Sequence, residues 1–252
     1  MKVKVLIIGE QCVDKFVYCN TKRLSPEAPV PVLNPIRTTK NPGMAGNTIA
    51  NVKALAPEYY TMSLGQNEPI TKTRYVEEKS NHMFLRLDEG ETTITPFKWT
   101  MDIDVLIGQS DIVIVSDYNK GFLTLGDLRE IGRKSKLSII DSKRKLTNEV
   151  AKMFTFVKLN ESEHANNPDL TTDNIITTLG KRGAEYKGVI YESPNPQDTI
   201  DVSGAGDTFT AAFIVKYFQL QDEPAAIKFA NRKSAEVVSK RGVVVPDLDT
   251  PE

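Results

Sequence analysis

Short apolar runs recur along the chain, each bounded by polar residues or glycine. Val3–Ile8 comes first, and Asp111–Val115, Leu137–Ile140, Phe154–Leu159, Asn174–Thr178 and Lys187–Tyr191 follow. Runs of this length, rich in β-branched residues, read as buried strands. Between several of them apolar positions return at helical spacing, over Asn47–Leu55, Thr124–Lys134 and the stretch near Lys145–Ala151. Strands alternating with helices predict an α/β fold: a doubly wound, mostly parallel sheet with helices on both faces. Two later segments also read as helices. Gly204–Leu220 is apolar almost all round, as a buried helix is. Pro224–Lys240 is amphipathic through Ile227, Ala230, Val237 and Val238, starts at a proline and stops before Gly242.

A second kind of segment interrupts this pattern. Phe16–Tyr18, Pro29–Ile36, Thr71–Glu77 and Met83–Asp88 are strand-like but polar on one side. The last two flank Glu78-Lys-Ser-Asn-His82, which predicts a hairpin turn. These pieces predict a small separate β-sheet, inserted from about 14–38 and 70–90 into a single domain spanning 1–252.

Composition narrows the classes. The chain has 252 residues, 40% hydrophobic and 26% charged, which excludes a disordered or collagen-like protein. That length buries a core without disulfide or metal staples. Thirty-two basic against 33 acidic side chains leave a net charge of −1, so no nucleic-acid partner is expected. No apolar run approaches the ~20 residues of a membrane helix, and no membrane partner is expected either. The N-terminal Met1–Ile8 is basic and then apolar, but it stops at Gly9-Glu10 without a small-residue cleavage site, unlike a signal peptide. Cys12 and Cys19 form no CxxC pair and are expected as free thiols in a reducing cytosol.

The densest chemistry lies in Asp201-Val-Ser-Gly-Ala-Gly-Asp-Thr-Phe209, at the start of a predicted helix. Gly204 and Gly206 let the backbone approach a ligand. The free amides of Gly204, Ala205 and Gly206 and the positive end of the helix dipole favour an anion. Asp207 follows in the first turn. A carboxylate beside a phosphate cradle is useful as a base that takes the proton of an attacking hydroxyl while the amides hold the transferring phosphoryl group. A weak base suffices, because phosphoryl transfer is loose. The other reading is a Gly-rich turn whose Asp favours the helix start.

This block resembles the C-terminal signature of the ribokinase-like (phosphofructokinase-B) carbohydrate kinases, and the resemblance runs from Val5 to Val245. Arg23–Val32, Leu85-Arg-Leu-Asp88, Ser116-Asp-Tyr-Asn-Lys-Gly121 and Asp141-Ser-Lys143 are most similar to members that phosphorylate D-glycero-β-D-manno-heptose 7-phosphate towards ADP-heptose. The resemblance implies a doubly wound α/β core with a β lid. It also implies ATP and Mg2+ as cofactors. Asp14 would bind sugar hydroxyls or act as a turn residue. Gly43 and Asn47, in Pro42-Gly-Met-Ala-Gly-Asn47, match the substrate loop, and Asn47 also suits a helix N-cap. Met44 stands there in place of a usual glycine. Asn160 and Glu163 match the Asn-x-x-Glu motif that organises magnesium and phosphates, largely through water, with Glu163 as the metal-facing carboxylate. Thr178, Gly180 and Gly183 match the nucleotide-binding turn. Asn231 falls on the helix bordering adenine, or on a solvated helix face.

The substrate so implied is a phosphorylated sugar, so cations are expected on the lid side. Lys72, Arg74, Arg86 and Lys120 are the candidates, with Asp117 beside Lys120; each is otherwise a solvated charge. If Arg86 and Asp88 face the sugar, Leu85 and Leu87 face away, and a homodimer through the lid is expected. Asp141-Ser142-Lys143 has Ser where similar kinases have Pro. Between Leu64-Gly65 and Thr71 the chain omits a helix and strand that they carry, and no nucleotidyltransferase domain is expected after Glu252.

Overall fold

The computed structural model describes residues 2–194, 204–239 and 244–247. The signature residues Asp201–Ser203 and the predicted helix end at Lys240 lie outside the described residues. In chain order the strands and helices are β1 (Lys4–Gly9), β2 (Gln11–Leu24), β3 (Pro31–Met44), α1 (Ala45–Leu55), β4 (Tyr60–Leu64), β5 (Thr71–Glu77) and β6 (Met83–Glu89). There follow α2 (Met101–Gln109), β7 (Ile112–Asp117), α3 (Leu125–Lys134), β8 (Ser138–Ser142), α4 (Asn148–Ala151), β9 (Phe156–Asn160) and α5 (Glu161–Ala165). Then come β10 (Ile175–Thr178), β11 (Ala184–Tyr186), β12 (Val189–Tyr191), α6 (Ala205–Leu220) and α7 (Glu223–Val238).

The larger sheet has the order β12-β11-β10-β9-β8-β7-β1-β4. Every pairing from β10 to β4 is parallel, and β11 and β12 add antiparallel. Strand alternation splits the core into two layers. Val5 and Ile7 of β1 meet Val52 of α1, Phe213 of α6 and Ile227 of α7, whereas Leu6 and Ile8 meet Ile107 of α2, Leu128 of α3 and Val150 of α4. The fold is ribokinase-like α/β, with helices on both faces. The all-round apolarity of α6 follows from its position between the sheet, α1 and α7. Phe156 stacks edge-on against Phe213 and Tyr217 there, at 4.8 and 4.7 Å.

Lys187–Tyr191, expected as a buried strand, is instead the edge strand β12, with Val189 and Ile190 both 52% exposed. Helix α2 was not expected. Its cap is orthodox, Thr100 accepting from the Ile103 amide, but Met101 and Val105 face water and blur the apolar stripe.

The second sheet has the order β3-β2-β5-β6, with β2 and β5 parallel and the outer pairs antiparallel. Strands β2 and β3 are far longer than the apolar patches that signalled them, because pairing continues from Gln11 opposite Met44 to Leu24 opposite Pro31. The register aligns Asp14, Lys72 and Asp88 in one row across three strands, and Phe16, Arg74 and Arg86 in the next. Leu85 and Leu87 take the other face.

The chain passes between core and lid four times, from β1 to β2, β3 to α1, β4 to β5 and β6 to α2. Strand β3 runs directly into α1 through Met44, buried and held at φ 56°. A side chain in that region carries backbone strain. Residues 65–70 alone link β4 to β5, which leaves β4 as the sheet edge.

Candidate active site

The parallel strands end together, and the chain reverses its winding between β1 and β7, the place where open α/β sheets hold ligands. Glu10 leaves the end of β1 fully buried. Its carboxylate accepts from the amides of Tyr118 and Lys120, both at 2.9 Å, and of Phe122 at 3.3 Å. One carboxylate therefore ties the loop after β7 to the end of β1.

That loop aims Tyr118 at Asp207. The Tyr118 hydroxyl donates to Asp207 Oδ1 at 2.9 Å, and Asn47 Nδ2 donates to Oδ2 at 2.9 Å. Asn47 is the third residue of α1, whose N-cap is Met44, so Asn47 is not the cap. Its own carbonyl and side-chain oxygens accept from Asn51 Nδ2, and Asn51 Oδ1 accepts from Thr208. A polar chain thus fastens α1 to the start of α6.

Asp207 is 5% exposed. Burial pushes its carboxyl up and the nearby Asp141 charge adds to this; Asn47, Tyr118 and Lys158 pull it back, leaving it at about 6. An acid so poised is ionised at neutral pH yet basic enough to take a proton. Gly204 enters α6 in the left-handed conformation. The first amides of a helix beginning at Ala205 have no partner within the helix and point outward.

Beneath them lies a buried charge network. Lys158, in the middle of β9 and 2% exposed, donates to Asp141 Oδ2 at 2.8 Å. Lys143 reaches Asp141 Oδ1 at 3.3 Å and Glu163 Oε1 at 2.5 Å. Burial alone would raise Asp141, but Lys158 and Lys143 hold it down to about 2. Gly206 has a steric purpose here: a β-carbon on it would stand 2.9 Å from Lys158 Nζ. In the sequence Lys158 is marked only as a lone lysine among the apolar residues of its strand.

Next to the helix start lies a groove lined by Thr178, Gly180, Gly183, Ala205, Gly206 and Asn231, with Phe209 and Val238 as apolar wall. All six of those first residues were expected at the nucleotide or the phosphate. Asn231 is buried rather than on a solvated helix face, and its amide donates to the carbonyl of Tyr191 at 2.6 Å. Gly183 lies so close to the Tyr191 carbonyl that a β-carbon would overlap it.

Asn160 and Glu163 close a capping box at the head of α5. Asn160 accepts from the Glu163 amide at 2.8 Å, and Glu163 Oε2 accepts from the Asn160 amide at 2.7 Å. With Oε1 on Lys143, both oxygens of Glu163 are engaged. Each of those oxygens keeps a second lone pair, so Glu163 can still face magnesium through water, as the resemblance implies.

On the lid side, every candidate cation has a carboxylate. Arg74 pairs with Asp14 and lies over the Phe16 ring. Arg86 makes two 2.7 Å bonds to Asp88. Lys72 and Lys120 share Glu91, at 3.2 and 2.6 Å. Gly43 makes room for Asp14, whose Oδ2 would lie 2.1 Å from a β-carbon there. Asp117, expected at the substrate, is not. It is 0% exposed and accepts from Arg144 at 2.6 and 2.8 Å, Ser142 at 2.6 Å and the Asn119 amide at 3.1 Å. Its lone pairs are spent beneath the loop, because a buried carboxylate must be paired.

The chain is similar to known proteins in sequence and in fold. The pfkB family carbohydrate kinase profile matches residues 128–251. The "Bifunctional protein HldE" of Nitratiruptor sp. is 26% identical over 300 residues, covering 100% of this chain and 65% of that protein. Its Helicobacter pylori namesake is 27% identical, covering 98% and 65%. The chain thus spans less than two thirds of the length of these curated relatives. Arabidopsis thaliana ribokinase, solved with ribose and ATP, superposes with a TM-score of 0.71 at 16% identity, covering 98% of this chain and 96% of the ribokinase. Escherichia coli phosphofructokinase-2 gives 0.72 at 13% identity, covering 98% and 95%. In its fold, in its helix-borne Asp207 and over residues 128–251, the chain is similar to the pfkB family of carbohydrate kinases, which are ATP-dependent phosphotransferases that act on an alcohol group.

Proposed function

We propose that this chain transfers the γ-phosphoryl group of ATP to the anomeric hydroxyl of D-glycero-β-D-manno-heptose 7-phosphate, giving the 1,7-bisphosphate and ADP. The observation that carries the reading is Asp207: a buried carboxylate poised at about 6, beside the open amides of α6. Asp207 takes the proton of the hydroxyl, and the freed oxygen forms its bond to the γ-phosphorus. The bond from that phosphorus to the ADP oxygen breaks, and the amides of Gly204, Ala205 and Gly206 hold the developing charge. ATP lies in the groove between Gly180 and Asn231.

The sugar identity rests on the four matched stretches and on the lid. Lys72, Arg74, Arg86 and Lys120 gather on the side where the far end of a sugar would reach, and they suit a substrate that already carries a phosphate. The names of the relatives point the same way. The reading includes a two-fold homodimer through the lid, for which Leu85 and Leu87 stand 55% and 44% exposed on its outer face.

ATP consumption over a panel of heptose 7-phosphate, unphosphorylated heptose, ribose, fructose 6-phosphate and adenosine tests this. The expected result is the highest kcat/KM with heptose 7-phosphate, at least about tenfold above the unphosphorylated heptose, a factor worth about 1.4 kcal/mol. A higher value for ribose or adenosine would assign the chain to another sugar or nucleoside kinase. Consumption with none of them would make it a binding protein.

A further inference from the structure

Glu91 lies two residues beyond β6, after Gly90 turns the chain at φ 82°. It enters the gap between lid and core. Its Oε1 faces Lys72 of β5 at 3.2 Å, and its Oε2 accepts from Lys120, on the core loop after β7, at 2.6 Å. The side chain is 19% exposed. Oε1 is buried and makes no hydrogen bond of acceptable geometry, so Lys72 meets it as a charge only. Burial would raise the carboxyl, but bonds and charges from Lys120 and Lys72 hold it below its ordinary value, so it is ionised at neutral pH.

The remaining charges near it cancel in pairs: Arg74 with Asp14, and Arg86 with Asp88. Lys72, Lys120 and Glu91 are left, a sum of +1. A phosphate monoester is a dianion near neutral pH. Set on the two lysines, it matches their charge only if the Glu91 carboxylate withdraws. With Glu91 in place, the two anions compete for the same ammonium protons.

We infer that Glu91 is a specificity-determining residue: an internal anion that holds Lys72 and Lys120 together in the absence of substrate and is displaced from them by the far-end phosphate of the sugar. This rests on the proposed function only in taking the substrate to be a phosphorylated sugar. The competition has a direction. Removing the Glu91 charge leaves two unneutralised ammonium groups, and anions bind there more tightly. Glu89 supplies the control. It carries the same charge two residues before Glu91, but it is exposed and lies on the opposite face of β6 from Arg86 and Asp88.

The test measures binding of inorganic phosphate by calorimetry, and KM for the phosphorylated sugar, in wild type, Glu91→Gln and Glu89→Gln, each checked by thermal melting. Glu91→Gln is expected to bind phosphate about tenfold more tightly and to lower the sugar KM by a similar factor, with the KM for ATP unmoved. Glu89→Gln is expected to shift phosphate binding by less than about threefold. Unchanged or weaker phosphate binding in Glu91→Gln overturns the inference. So does equal tightening in both variants, which would reveal a general field rather than displacement. If heptose 7-phosphate is not turned over but Glu91→Gln still tightens phosphate, the sugar assignment fails and the role of Glu91 stands.

Discussion

Tyr118 donates its hydroxyl to Asp207 at 2.9 Å from the loop after β7, 89 residues earlier in the chain. Burial pushes the Tyr118 phenol well above its ordinary range, so it stays protonated and acts as donor. That bond favours the ionised form of Asp207. Tyr118→Phe removes it, and the carboxyl should rise above about 6. The acid limb of the kcat/KM–pH profile is expected to move upward, with activity recovering at higher pH. A limb that does not move would show that Tyr118 does not hold the base.

Asp207→Asn should lower turnover at least about a hundredfold, the usual contribution of a positioned base, while ATP binding measured by calorimetry persists. The same variant should be more stable at neutral pH. The native carboxyl at about 6 lies above its unfolded value near 3.9, so the folded state holds the proton more tightly between them. The resulting stability is fully present below about 3.9 and is lost as pH rises through about 6. Asn carries no such penalty. Denaturant unfolding is expected to favour the variant by on the order of 3 kcal/mol at pH 8 and by little at pH 4.

Lys158→Met leaves Asp141 buried without its 2.8 Å partner. Breaking a buried pair this way costs about 3–5 kcal/mol. Turnover should fall as well, because the ammonium lies under the phosphate cradle beside Gly206. Adding Asp141→Asn should restore most of the stability and little of the turnover. Recovery of both would make Lys158 purely structural.

The lid dimer is tested by light scattering at micromolar protein. Leu85→Asp and Leu87→Asp are expected to convert dimer to monomer, since each puts a charge on a face that would be buried. A wild type that is monomeric throughout, or a dimer untouched by both changes, removes the lid as interface.

Much of the core was legible because its strands are buried on both faces and read as uninterrupted apolar runs, as in Val5–Ile8 or Ile112–Val115. The lid strands were legible only where side chains on one face happen to be apolar. Their full length depends on pairing between β2 and β3, which no local pattern records. In the site, Asp207 and its glycines stood out because one short segment holds the helix start, the turn and the acid. Asn47, though expected at the sugar, proves to touch the acid. Asp117 was misjudged because its neighbour Lys120 faces the lid while Asp117 itself, the final residue of β7, turns under the loop to Arg144. Glu10, Lys158 and Glu91 take their meaning from partners 17 or more residues away, beyond the reach of any spacing rule.

The distance between Asn47 and Asp207, 160 residues, has a consequence for the growing polypeptide. During synthesis every described strand of both sheets emerges before Asp207 does. A chain that ends at β12 lacks α6 and α7, whose apolar side chains cover Val5, Ile7, Ile114 and Phe156 on one face of the larger sheet. The layer that completes the core and the segment that carries the acid are therefore one and the same, and Asp207 meets Asn47 only as that face is buried.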